Sequence, residues 1–185
     1  MSKSSKRGLG SFFYTEWLRI PHDYLCSLKR NEFVFEIVFP LIVAVACAVL
    51  YYYFDSIQVA IDKLSNILPT ILAVMIGFTI MLVTQLTSGS NDNLNKLKEK
   101  ELSPQKILYS SPMSLYQCLY IQFCNSLISE ITLLAIVFIS MFVKPMFPPT
   151  WLLFVIFFIE VYFVANILLT TIRGVSNFYV TLYKV

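Results

Sequence analysis

The segment that most limits what this chain can become is Leu115 to Arg173: two apolar runs joined by Lys144-Pro145-Met146-Phe147-Pro148-Pro149, each with one glutamate near its middle, Glu130 and Glu160. Each run exceeds the roughly 20 apolar residues that a helix needs to cross a bilayer. An ionised carboxylate at that depth costs roughly 2.5 kcal/mol or more unless it is protonated, paired or hydrated. The whole chain is 57% hydrophobic and only 14% charged, whereas about 25% of residues are charged in soluble domains. Lipid is therefore the expected surrounding, and the expected fold is an all-α polytopic membrane protein with four transmembrane helices and an N-terminal interfacial amphipathic helix.

Residues 1–32 read as a basic tail followed by interfacial helices. Leu9, Phe12, Phe13, Trp17 and Ile20 recur at helical spacing up to Pro21, which predicts a short amphipathic helix lying in the headgroup region with Phe13, Trp17 and Ile20 as its membrane anchors. A second short piece, His22 to Arg30, ends on Lys29-Arg30. No apolar signal region precedes a cleavage site, so no signal peptide is expected.

Residues 33–185 form the membrane domain, with spans expected at 33–54, 67–86, 115–143 and 151–172. Glu32 and Glu36 stand at the start of the first span, where headgroup water or Lys29 and Arg30 are within reach. Ala44 and Ala48 form a pair of small residues four apart that admits a neighbouring helix. A short surface helix is expected over 55–65. Along the second span Asn66, Thr70, Ala73, Gly77, Thr84 and Ser88 share one small, polar face, and in lipid such a face packs against a helix or lines a pore. Trp151 anchors the start of the fourth span. Arg173-Gly174 marks its end.

The polar loop 87–111 carries Leu94, Leu97 and Leu102 opposite a charged side that includes Lys98. Those four residues are the candidate docking surface for a soluble partner, against the plainer reading of a solvated loop. Ser111-Pro112 has the form of an N-cap and first-turn proline opening the third span.

Orientation follows from the cations. Twelve Lys and Arg residues fall in the N-terminal segment, the central loop and the C-terminal end, and two, Lys63 and Lys144, in the other two loops. The positive-inside rule then puts both termini and the central loop in the cytoplasm. The formal charge of +3 serves this orientation, because the basic residues flank apolar runs and form no dense stripe for direct nucleic-acid binding.

Counting back from the outer turn puts Glu130 and Glu160 at similar depths, with no buried Lys or Arg on hand as a partner. Asn125, Ser126 and Asn166 are the polar neighbours on the same helices. Three readings follow: register-setting contacts between helices; a proton or cation pathway, conducting if a symmetric homo-oligomer rings the acids around an axis; or a gating or sensing switch. Enzymatic chemistry lacks support. The lone His22 has no nucleophile or metal-binding pattern around it, Cys26, Cys47, Cys118 and Cys124 follow no ligand spacing, and no cofactor motif is present. The expectation is no catalytic residue, no metal and no cofactor.

The run Pro69-Thr70-Ile71-Leu72-Ala73 through Gly77-Phe78 into Ser90-Asn91 and a Lys-rich loop, with four spans and a basic N-terminal segment, resembles the small bacterial membrane subunits of two-component antiphage systems such as Kiwa. The resemblance covers size and topology. It implies a homo-oligomeric inner-membrane sensor and scaffold that holds a soluble cytoplasmic effector; the alternative function is an oligomeric ion-conducting channel or pore built on the intramembrane glutamates.

Overall fold

A computed structural model describes residues 19–54, 57–88, 107–108, 111–143, 146 and 149–183. Apart from a two-residue antiparallel ladder, Ile107–Leu108 with Ser111–Pro112, every regular element among them is helical. Helix α1 is Arg19–Ser27 and α2 is Arg30–Phe33; a single wide π-helical turn, Val34–Val38, leads from α2 into α3, Phe39–Tyr53. Then come α4, Ile57–Ser88, α5, Leu115–Val143, and α6, Thr150–Tyr183.

Four of these segments are long and apolar enough to cross a membrane: Arg30–Tyr53, Gln58–Ser88, Leu115–Val143 and Thr150–Tyr179. Only 22% to 28% of each span's apolar window is buried inside the bundle. Most of the apolar surface therefore points outward, as it does in a multi-pass protein dissolved in lipid.

Several boundaries differ from the sequence expectation. Pro21 lies inside α1 and does not end a helix there. The surface helix expected at 55–65 is instead the first part of a continuous α4, with Pro69 inside it. Its apolar positions keep one rhythm through Ile61, Leu64, Leu68 and Leu72, and Ile61 packs on Ala48 and Phe157. Helix α6 passes through Arg173-Gly174 and continues for nine more residues, because the charge of Arg173 is met inside the bundle. Ser111-Pro112 belongs to the ladder, and Ser114 caps α5: its Oγ accepts from the Gln117 backbone N–H at 3.2 Å, while its own N–H donates to Gln117 Oε1 at 3.0 Å. Phe13, Trp17, Leu94, Leu97, Lys98 and Leu102 lie outside the described residues.

The closest helix pairs are α4 with α5, α5 with α6 and α6 with α3, while α1 lies against α5. At the end away from the termini, Ala48, Ala60, Ile61, Leu153 and Phe157 form an apolar cluster. Leu68, Leu72, Leu133, Val137 and Ile167 fill the middle. Leu86, Leu119 and Phe123 close the other end. Ala44 and Ala48 are fully buried, whereas Ala73, Gly77 and Thr84 face outward and Gly77 has open space around it. Within the chain α4 packs through its other side, Leu68, Leu72, Thr79 and Leu86. The apolar area and the Glu130 contact both lie there.

Candidate functional site

Two buried carboxylates organise the polar interior, and the first was not the one expected. Pro40 has no backbone N–H, so the carbonyl of Glu36, four residues earlier, loses its usual helical donor, and the proline ring crowds that carbonyl. The wide turn at Val34–Val38 accommodates the crowding. Asn166 on α6 supplies the missing donor: its Nδ2 bonds the Glu36 carbonyl at 2.6 Å.

That contact brings the Glu36 side chain, 0% exposed, against α6. Arg173 Nη1 donates to Glu36 Oε1 at 2.6 Å, and Arg173 Nη2 lies 3.2 Å from Glu32 Oε2. Asn166, Thr170 and Arg173 fall at i, i+4 and i+7, one face of α6, which aims all three at the start of the first span. From α1, Tyr24 donates its hydroxyl to Glu36 Oε2. Burial, and then the carboxylate beside it, hold the Tyr24 phenol above its ordinary range. Glu32 also accepts from the Lys29 backbone N–H at 2.7 Å, fixing the start of α2. Glu36 was expected to reach headgroup water or to pair with Lys29 and Arg30, and no buried cation was expected for the interior acids. It is instead an interior acid, and Arg173, its side chain only 15% exposed, is its partner.

The second centre is Glu130 on α5, also 0% exposed. Thr79 Oγ1 from α4 donates to Glu130 Oε1 at 2.9 Å, and Ser126 Oγ, one turn away on α5, donates to the same oxygen at 3.1 Å. Ser126 Oγ lies 3.2 Å from Thr171 Oγ1 of α6. Three helices thus meet at hydroxyl groups around one carboxyl. Glu130 Oε2 has no hydrogen-bond partner among the described residues.

Glu130 and Glu160 do not share a depth. Ser126 faces Thr171 and Phe123 meets Gly174, a register that carries Glu130 opposite Ile167. Glu160 lies seven residues further along α6, about 10 Å away at 1.5 Å per residue. The reason is axial offset: the two helices are not in step with the turn that joins them. Glu160 is fully buried on α6, Asn125 is buried on α5, and Asn166 serves Glu36. Ile20 is half-buried on α1, and Trp151 is exposed at the start of α6.

The centres are joined along α6, since Thr171 serves one and Arg173 the other. Toward the terminal end, Gln122 Nε2 donates to the Thr170 carbonyl at 3.1 Å and Asn177 Nδ2 to Gln122 Oε1 at 3.4 Å. Gly174 permits this closeness: a Cβ there would stand 2.9 Å from Phe123 Cε1.

Sequence reasoning missed Glu36, Arg173 and Tyr24 as one unit. Two signals were present: a proline four residues after an acid, and a lone arginine in step with Asn166 and Thr170. Among the described residues no three His, Cys, Asp or Glu side chains gather as a metal site. His22 is exposed on α1, with Cys26 Sγ 3.9 Å from its Nε2. Compared with protein-family models, curated proteins and solved structures, the chain matches none.

Proposed function

We propose that this multi-pass membrane protein is a non-enzymatic sensor and scaffold of a bacterial inner membrane, with both termini cytoplasmic, and that it assembles as a homo-oligomer docking a soluble effector of an antiphage defence system. The observation that carries this reading is the clamp of Tyr24, Glu32 and Glu36 on Arg173. It ties the helix at the N-terminal end of the described chain and the last span to one buried ion pair. Moving the surface helix therefore disturbs the packing of the spans, and repacking the spans moves the helix. A scaffold that reports on the membrane needs that linkage, whereas an enzyme needs reacting atoms open to substrate, and both carboxyls are closed to solvent.

In this reading the outward face of Asn66, Thr70, Ala73, Gly77, Thr84 and Ser88 meets a second copy, and Leu94, Leu97, Lys98 and Leu102 meet the soluble partner. The burial of Glu130 and Glu160 among their own chain's helices favours packing over a water-lined conduction path. The test is purification from native membranes in mild detergent. A soluble protein should travel with the oligomer and be lost when Leu94, Leu97 and Leu102 are replaced together by Ser. Ion flux in proteoliposomes that Glu130→Gln or Glu160→Gln abolishes would instead establish conduction.

A further inference from the structure

We propose that Glu130 is a reversible proton-binding site, reached from the terminal end of the bundle, whose proton keeps α4, α5 and α6 packed. The hydroxyls of Thr79 and Ser126 converge on Oε1, at 2.9 and 3.1 Å, while Oε2 meets no partner among the described residues. An ionised carboxylate has acceptor sites on both oxygens and draws donors to each. Two donors on Oε1 and none on Oε2 suit a neutral acid better than an anion, with Oε1 as the carbonyl oxygen and Oε2 as the protonated one.

The surroundings agree. No Lys, Arg or His pairs with Glu130 among the described residues. From α4 the facing group is the Thr79 hydroxyl; Asp62 and Lys63 lie at least sixteen residues back along that helix, about 24 Å. From α6 it is the Thr171 hydroxyl, through Ser126. Arg173, two residues beyond, is held by Glu36 and Glu32, and Tyr162 and Glu160 lie further along toward the other end. On α5 itself the ionisable neighbours are Cys124 and Tyr120, and on α1 Tyr24 is held by Glu36.

In the packed bundle Leu86, Leu119 and Phe123 close the terminal end, so access opens only as α4 moves away from α5, and the polar groups that would line it lie on one side of Glu130. Ser126, Thr171, Gln122 and Asn177 give the seam a polar lining from Glu130 to the terminal end of the bundle. On the other side Leu133, Val137 and Ile167 close it with almost no exposure. Release breaks the Oε2–H bond, passes the proton to water that enters along this seam as the helices part, and leaves the electron pair on the carboxyl. The resulting anion needs donors on both oxygens, and water drawn to Oε2 separates α4 from α5. Glu130 binds its proton whether or not the chain docks a soluble partner.

The experiment uses the full chain in lipid vesicles. In infrared difference spectra, an alkaline jump should remove a protonated-carboxyl carbonyl band that is absent from Glu130→Gln and present in Glu160→Gln. Spin labels at Thr84 on α4 and at Cys118 on α5, with the other cysteines replaced by Ser, should move apart with the same midpoint, and should stay close at every pH in Glu130→Gln. Changing pH on one side of the membrane at a time should give the response only from the side bearing the termini. Should Glu130→Gln not fold, Thr79→Val supplies the second arm, because losing one donor to Oε1 should shift the frequency of the band. A band unaffected by either substitution, a midpoint that moves with sodium at fixed pH, or an equal response from both sides would overturn the proposal.

Discussion

Glu36 and Glu130 are both fully buried in the same bundle, yet they are kept there by different means. Glu36 has a cation, Arg173, a phenol, Tyr24, and a helix turn whose carbonyl is served by Asn166. Glu130 has two hydroxyls on one oxygen and no counter-charge among the described residues. An acid that must stay charged in low dielectric needs a partner of opposite sign, whereas an acid that gives up its charge needs only a modest donor or two. The first arrangement is a fixed clamp and the second is suited to change.

The largest expected effect tests the clamp. Arg173→Met leaves Glu36 and Glu32 without their cation and should cost about 3–5 kcal/mol, the usual penalty for breaking a buried pair from one side. Thermal unfolding in detergent measures it, and pairing the change with Glu36→Gln should recover a large part of the loss. An Arg173→Met protein as stable as wild type would mean that Glu36 carries no charge, and the contrast with Glu130 would disappear.

Tyr24→Phe removes a hydroxyl donor to a charged acid and should cost about 1.5–3 kcal/mol. Because the folded phenol binds its proton more tightly than an unfolded one, with an ordinary pKa of 10.0, its stabilisation is complete below that value and is lost as pH rises beyond it. Wild type should therefore lose stability in the alkaline range through this group, and Tyr24→Phe should lack that component of the decline.

Thr79→Val removes a hydroxyl donor to the other acid and should cost only about 1 kcal/mol, the value of a bond between neutral groups. The ratio of these two losses reads the charge difference directly. Equal losses would mean that both acids have the same charge state, ionised if both are large and neutral if both are small. The smallest effect is expected at Gly77→Ala, where nothing lies within 4 Å of an added Cβ; chain stability should change by no more than about 0.5 kcal/mol. Cross-linking yield between copies should nevertheless fall if this face joins them.

Much of the architecture is legible in the sequence. Four apolar runs of bilayer length need no partner to declare themselves, because backbone hydrogen bonds in lipid close within each helix. The third span, Leu115–Val143, falls at its expected bounds, while α4 and α6 run further than expected. In α6 the end was read from the local Arg173-Gly174, and in α4 the 55–65 piece was read as a separate surface helix; contacts with distant residues outweighed both. Glu130 and Ser126 were also recognisable as a polar pair, since four residues on one helix fix their proximity.

What the sequence alone determined is the part governed by neighbours along the chain: the solvent, the spans and the polar stripe on α5. Only the tertiary structure decided which polar groups meet. Glu36 and Arg173 are 137 residues apart, and whether they touch depends on the axial offset and rotation of two helices, which side-chain packing sets along their whole length. The same offset separated Glu130 from Glu160 and turned the small face of α4 outward. Helix formation is a local balance of backbone hydrogen bonds and apolar length, whereas register between helices is a sum over many weak contacts that no short stretch of sequence contains.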